Sequence, residues 1–283
     1  MVTIKRALLF EGKAIVDVLD TTEIVQQAIS FHKLSDDAAK ALGMVLTIGA
    51  FISSGFKGAD NKLTIIVDGK GNGGKIVVSA DAGALVRGYI QNPAAMGDTP
   101  SVVGRDGYMN VIKDFGLREP YNGLCELVTG NLSMDFAYYF TKSEQLPSAI
   151  SLEVDVKNGI CKKSAGIIVQ PMPNCTEDVI VVLEDIVSQM KNIASIVEDR
   201  GAQGVIDYYF GHFPIKQLDD VIPKYVCSCS KEKVSQMLMT LGKKELQDII
   251  QENGKIEVGC QFCNKKYQYF EKDIDEIFNK WKQ

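Results

Sequence analysis

The sequence predicts an α+β protein in three parts: a mixed α/β core domain over residues 1–175, a helical linker over 176–223 and a small domain over 224–283. Three observations carry this division. Up to Pro171, β-branched runs alternate with helical patterns. From Asp178 to Val197, apolar residues recur at helical spacing. After that, four of the seven cysteines gather into two short clusters, Cys227-x-Cys229 and Cys260-x-x-Cys263.

In chain order, residues 2–20 read as two strands around the turn Glu11-Gly12-Lys13. TTEIVQQAISFH and SDDAAKALGMVLTIGAFISS read as helices. Ser35 is placed to cap the second, and Asp36 and Asp37 suit the positive end of its dipole. KLTIIVDGKGNGGKIVVSADA reads as two strands about a glycine-rich turn. Its Gly69-x-Gly71-x-x-Gly74 matches a dinucleotide-binding fingerprint. That reading needs a helix N-terminus to hold the pyrophosphate, and KIVVSA is strand-like, so a hairpin is expected. Further strands are expected near 84–90, 108–113, 149–157 and 164–171. NLSMDFAYYFTKSEQ reads as a helix with Leu132, Phe136, Tyr139 and Phe140 on one side.

In the linker, the stripe comprises Val179, Val182, Leu183, Ile186, Met190, Ile193 and Val197. Periodicity alone makes it a helix face packed on a neighbour. Gly201, Gly204, Gly211 and Pro214 then divide the chain into short pieces. In the last part, Ser230 caps a helix bearing Val234, Met237, Leu238 and Leu241 that stops at Gly242. A second helix carries Leu246, Ile249 and Ile250. NGKIEVGCQFCNKKYQYF reads as a hairpin, and a last helix presents Ile274, Ile277, Phe278 and Trp281.

Composition narrows the function. With 46% hydrophobic and 24% charged residues, the 283-residue chain is ordinary globular material. A net charge of −5 gives no general attraction to phosphate backbones. The apolar run near the N-terminus is too short for a signal peptide. The stretch Ala41 to Phe56 falls short of a bilayer span and reads as a buried helix. The chain therefore reads as soluble and cytoplasmic, with no membrane partner. His32 and His212, its only histidines, sit in no catalytic motif. No G-x-x-x-x-G-K-[ST] loop occurs. The reading is a non-enzyme.

The two cysteine clusters supply four soft ligands, which suits tetrahedral Zn²⁺ with no position left for substrate. In a small domain the metal supplies a staple that a small core lacks. Lys224, Lys231, Lys233, Lys265 and Lys266 flank the clusters and can offset the charge of four thiolates. Two alternatives stay open. A zinc-ribbon-like nucleic-acid-binding module is opposed by the net acidity. A thiol–disulfide oxidoreductase is opposed by the strand signal KKYQYF, where a redox Cys-x-x-Cys needs a helix. Cys125, Cys161 and Cys175 are isolated in sequence, and buried or idle thiols are their default reading.

Cys-x-Cys, then some thirty residues, then Cys-x-x-Cys resembles the heat-shock protein 33 family, the 33-kDa chaperonins. DGKGNGGKIVVSADA, VRGYIQNP, AYYFTKSEQLPS, CSCSKEKV, LGKKEL and IEVGCQFCNKKYQYF all resemble family segments. The resemblance implies a redox-regulated, ATP-independent holdase. Cys227, Cys229, Cys260 and Cys263 would hold zinc when reduced. Oxidation would form the disulfides Cys227–Cys229 and Cys260–Cys263, release the metal and unfold residues 224–283. The linker stripe, with Val182, Ile186 and Met190 as candidates, would then meet unfolding client proteins. A homodimer on activation is also implied.

Overall fold

The alternation of strand and helix patterns builds two sheets with a helix between them. The computed structural model describes residues 3–280, with side chains through Phe278. Strands β1 (Ile4–Leu9) and β2 (Ala14–Asp20) pair antiparallel about the expected turn. Helices α1 (Thr22–His32) and α2 (Asp36–Ser54) follow. Next come β3 (Lys62–Lys70), β4 (Ile76–Asp81), β5 (Leu85–Ile90), α3 (Thr99–Val103), β6 (Gly104–Asp114) and β7 (Tyr121–Glu126). The chain continues through α4 (Leu132–Lys142), β8 (Ala149–Lys157), β9 (Ile160–Pro171), α5 (Glu177–Ser188) and α6 (Ile193–Phe210). After β10 (Ile215–Gln217) and β11 (Lys224–Tyr225) come α7 (Lys231–Met239), α8 (Lys243–Asn253), β12 (Ile256–Gly259), β13 (Lys266–Tyr269) and α9 (Glu271–Lys280).

The chain divides into two compact units, one ending at Val226 and one beginning at Cys227. In the first, a five-stranded sheet runs β10-β1-β2-β9-β8 and a six-stranded sheet runs β11-β5-β4-β3-β6-β7. Helix α2 packs on β8 and β9 of one and on β3, β4 and β5 of the other. It is long and apolar enough to cross a membrane by length and composition, but it is buried in the protein as the central core helix. The Ser35 hydroxyl caps it, accepting from the Ala38 amide at 3.1 Å. Asp36 instead reaches across to accept from the amides of Asn158 and Gly159, each at 2.8 Å.

The glycine-rich segment is a hairpin turn, because β4 pairs antiparallel with β3 and no helix follows Gly74. Its glycines permit a close crossing with the start of β6. A Cβ on Gly104 would lie 2.1 Å from the Gly69 carbonyl oxygen.

The five-stranded sheet is apolar on both faces. One face joins the α2 core through Ile4, Leu19, Leu152 and Ile168. The other carries Leu9, Val16, Val18 and Ile167, and is covered by Leu183, Ile193, Val205, Ile206 and Phe210 of α5 and α6. The stripe from Asp178 to Val197 is thus two helices and not one. Asn192 stands at φ 57°. The Tyr209 hydroxyl clamps the turn, accepting from the Lys191 amide (3.1 Å) and donating to its carbonyl (2.9 Å). Of the expected breakers, Gly201 does kink α6 at φ 69°, a conformation glycine adopts freely, whereas Gly204 stays inside the helix.

The second unit folds around one small cluster: Val234, Leu238, Leu246, Ile250, Ile256, Tyr267, Tyr269, Ile274 and Ile277. Ser230 caps α7, accepting from the Lys233 amide at 3.3 Å. Met237 and Leu241 do not join the cluster's face; they are 68% and 48% exposed. Trp281 lies outside the described residues.

Candidate metal centre

The local fold converts sequence spacing into a cluster of four thiols. Cys227 and Cys229 sit in the irregular segment between β11 and α7. Cys260 and Cys263 sit in the turn joining β12 to β13, whose strands pair from Ile256–Tyr269 to Gly259–Lys266. The Cys260 amide donates to the Lys265 carbonyl (2.9 Å), and the Asn264 amide donates to the Cys260 carbonyl (2.8 Å). Asn264 takes the left-handed conformation that such a tight turn needs, with φ 56°.

All four Sγ atoms lie within 4.8 Å of one another. Cys227 and Cys260 are 3.6 Å apart, and Cys229 and Cys263 are 3.4 Å apart. A tetrahedron with Zn–S bonds of ~2.3 Å has an edge of ~3.8 Å, so the donor set and its spacing fit that ion. All four thiols are free. The Tyr267 hydroxyl donates to the Cys229 sulfur at 3.1 Å. Partial burial works against a thiolate at Cys229, but this bond and the neighbouring thiols outweigh it and bring the thiol down to about 7. Burial pushes the Cys227 and Cys263 thiols up.

Four of the five flanking lysines are held by other partners. Lys231 pairs with Asp273 (2.8 Å) and Lys266 with Glu257 (2.8 Å). Lys233 donates to the Ser228 carbonyl (2.8 Å), and Lys265 lies over the Tyr267 ring. Outside the cluster, burial raises the thiols of Cys125 and Cys161, the latter to about 12. Cys175 lies half-buried against the second apolar core of the first unit. Ile186 and Met190 pack partly buried on that same core, and Val182 is half-buried. Tyr267 was not singled out by the sequence. Its signal was faint, an aromatic at an alternate position of KYQY.

By fold and site, this is an α+β core followed by a small four-thiol module that could hold a metal with every tetrahedral position filled by protein. The family model for "Hsp33 protein" matches residues 3–270. A 33 kDa chaperonin of Clostridioides difficile (strain 630) is 38% identical over 281 residues, covering 96% of this chain and 97% of that protein. One of Clostridium botulinum (strain Eklund 17B / Type B) is 38% identical over 271 residues, covering 91% of this chain and 90% of that one. The crystal structure of the 33 kDa chaperonin from Thermotoga maritima superposes with a TM-score of 0.89 at 28% identity, covering 98% of each chain. The chain belongs to the Hsp33 family, the 33 kDa chaperonins. This is a chaperone family and not an enzyme family.

Proposed function

We propose that the protein is a redox-regulated, ATP-independent holdase whose switch is the four-thiol cluster. The observation that carries this reading is the near-tetrahedral spacing of four sulfurs in a unit with a small apolar core. Cys227, Cys229, Cys260 and Cys263 would hold Zn²⁺. When bound, the metal keeps the thiols deprotonated and contributes folding free energy of ~10–16 kcal/mol, against ~5–15 kcal/mol for a typical domain's whole stability.

The chain's own chemistry is thiol oxidation. One thiolate attacks a peroxide oxygen; the O–O bond breaks, hydroxide leaves and a sulfenic acid forms. The second thiolate of the pair displaces the remaining hydroxide and closes the S–S bond. Formation of each disulfide thus passes two electrons from the thiolate pair to one peroxide. The family resemblance supports the pairings Cys227–Cys229 and Cys260–Cys263. The Tyr267 hydrogen bond favours thiolate at Cys229.

Functionally the chain then divides into a chaperone core (1–175), a linker (176–223) and a redox-switch domain (224–283). Loss of the metal would unfold the switch domain and, if the linker is coupled to that domain, free its apolar stripe from the core it packs on. Val182, Ile186 and Met190 would then meet client, each worth ~1.5–3 kcal/mol when buried. The partners are unfolding polypeptides in the cytoplasm, with homodimerisation on oxidation. No role for nucleic acid, membrane or nucleotide enters this reading.

The test is suppression of aggregation of a heat-unfolded client, before and after peroxide, with zinc release followed in the same sample. Protection should rise with zinc release and hydrophobic-dye binding, and Ile186→Asp should lower protection while leaving zinc affinity unchanged. Full protection by the reduced, zinc-bound protein, unaltered by oxidation, would leave the metal a structural role only.

A further inference from the structure

Residues 214–226 form a strap that closes one edge of each sheet of the first unit. The strap leaves α6 and lays β10 antiparallel on β1. It then bridges Ile4 through Val221 and lays β11 parallel on β5. Without β10 and β11, β1 and β5 would be the outermost strands of their sheets. A single stretch of chain therefore covers two backbone edges.

It does so mainly through the main chain. The Phe10 amide donates to the Pro214 carbonyl (3.1 Å), and the Leu218 amide donates to Arg6 (2.9 Å). Ile4 and Val221 exchange amide–carbonyl bonds at 2.7 and 3.2 Å. The amides of Lys224 and Val226 donate to Ala84 (3.0 Å) and Val86 (2.8 Å). Many strap side chains point away from the protein: Lys216, Gln217, Asp219, Asp220, Ile222 and Lys224 are exposed.

Tyr225 is the deep anchor. It is buried, and its ring stands 5.4 Å from that of Phe31. Its hydroxyl donates to the Gly88 carbonyl (2.9 Å) and accepts from the Gly88 amide (3.3 Å). A phenol thus stands in for the next strand residue, so the β5 edge is satisfied at positions 84, 86 and 88.

We propose that the β1 and β5 edges are receiving sites for extended segments of client polypeptide, and that the strap is their intramolecular occupant. This deepens the holdase reading and rests on it. Main-chain ladders recognise an extended strand whatever its sequence, and pockets for alternate side chains add preference. A protein that must accept unrelated unfolding chains needs that kind of contact. The strap itself shows what fits: an extended segment placing an apolar or aromatic side chain where Val221 and Tyr225 sit. Its strands are two and three residues long. Short edge strands held mainly by main-chain bonds open at low cost, with Tyr225 the one buried side chain of the two strands to be released. Val226 is bonded directly to Cys227, so loss of order in the cysteine unit begins at the strap's end.

The test is amide hydrogen exchange at Ile4, Phe10 and Gly88, which donate to strap acceptors. It uses the full chain in three states: reduced and zinc-loaded, peroxide-oxidised, and oxidised with a reduced, carboxymethylated unfolded protein as probe. Exchange should be slow in the first state, at least ~10-fold faster in the second and slow again in the third. Amides that stay slow after oxidation, or stay fast while the probe is bound, overturn the inference and leave the holdase reading standing. An oxidised protein that does not bind the probe overturns both. Protection that returns without probe as protein concentration rises assigns the edges to a second copy's strap and overturns the client assignment. Tyr225→Phe keeps the ring and removes the hydroxyl; Gly88 exchange in the reduced protein should quicken about 5-fold. An unchanged rate overturns the anchor.

Discussion

The two units are stabilised in different ways. The first buries apolar side chains on both faces of the five-stranded sheet, with α2 enclosed on one side and α5 and α6 laid on the other. The second has one small cluster, and it lies in the size range where a single core rarely supplies more than ~3–5 kcal/mol. Burial of α2 between the two sheets holds the centre of the first unit without any thiol. The second gathers four sulfurs within 4.8 Å of one another, and the proposed function rests its stability on them. On that reading, stability placed in thiols can be withdrawn without unfolding the α2 core.

The largest expected effect tests that dependence directly. Cys260→Ser removes one of four sulfurs, and metal binding of ~10–16 kcal/mol exceeds what the unit's own core can replace. The variant should lose its zinc and show fast amide exchange in β12 and β13, while β3 and β4 keep wild-type protection. A metal-free second unit that stays folded would erase the contrast between the units.

The counterpart in the first unit is Phe210→Ala. Phe210 is fully buried in the core between α6 and the five-stranded sheet. Truncation there costs ~3–5 kcal/mol through lost transfer and a cavity. Urea unfolding of the first unit should shift accordingly, with zinc content unchanged. A change in zinc content would mean that the two units do not respond independently.

This contrast was largely legible in the sequence. Hairpin signals, the Ser35 and Ser230 caps and the paired cysteines act over a few residues, so local pattern reports them. The strands β10 and β11 did not show, since two or three residues cannot display a period and their partners lie some two hundred positions away in β1 and far upstream in β5. The break between α5 and α6 was hidden for a related reason. The apolar spacing runs on through Met190 and Ile193, and the clamp that fixes the turn comes from Tyr209, distant in sequence. Tyr225 and Tyr267 matter through their hydroxyls, and composition counts them only as aromatic.

A pH test sharpens the account of the first unit. Asp17 is paired with Arg6 at 2.6 Å, yet it is almost wholly buried. Desolvation outweighs the attraction and the hydrogen bond from Arg6 and raises the carboxyl to about 6. A folded-state value above the unfolded one means that the native state binds the proton more tightly. Stability from this group is present below about pH 4 and is lost as pH rises to about 6. A shift of about two units corresponds to roughly 3 kcal/mol. Asp17→Asn lacks this titration, so wild type should lose that much relative to the variant between pH 4 and 7, read by urea unfolding. Parallel profiles would show that Arg6 fully compensates the buried charge.

The smallest effect separates the units most finely. Ser35 and Ser230 perform the same task, each accepting an amide in the first turn of a helix. Loss of such a cap costs ~0.5–2 kcal/mol, typically ~1. In the first unit that cost is a loss of folding stability alone. In the second, folding and metal binding are one equilibrium if the metal-free unit is unfolded, so the cost must come out of the binding free energy. Ser230→Ala should therefore weaken apparent zinc affinity about 5-fold, read by competition with a chromogenic chelator. Ser35→Ala should leave that affinity at the wild-type value while lowering the urea midpoint of the first unit. Equal zinc affinity in wild type and Ser230→Ala would mean that α7 is formed before the metal arrives. The second unit would then hold its fold by burial, as the first does, and the thiols would regulate it without being needed to build it.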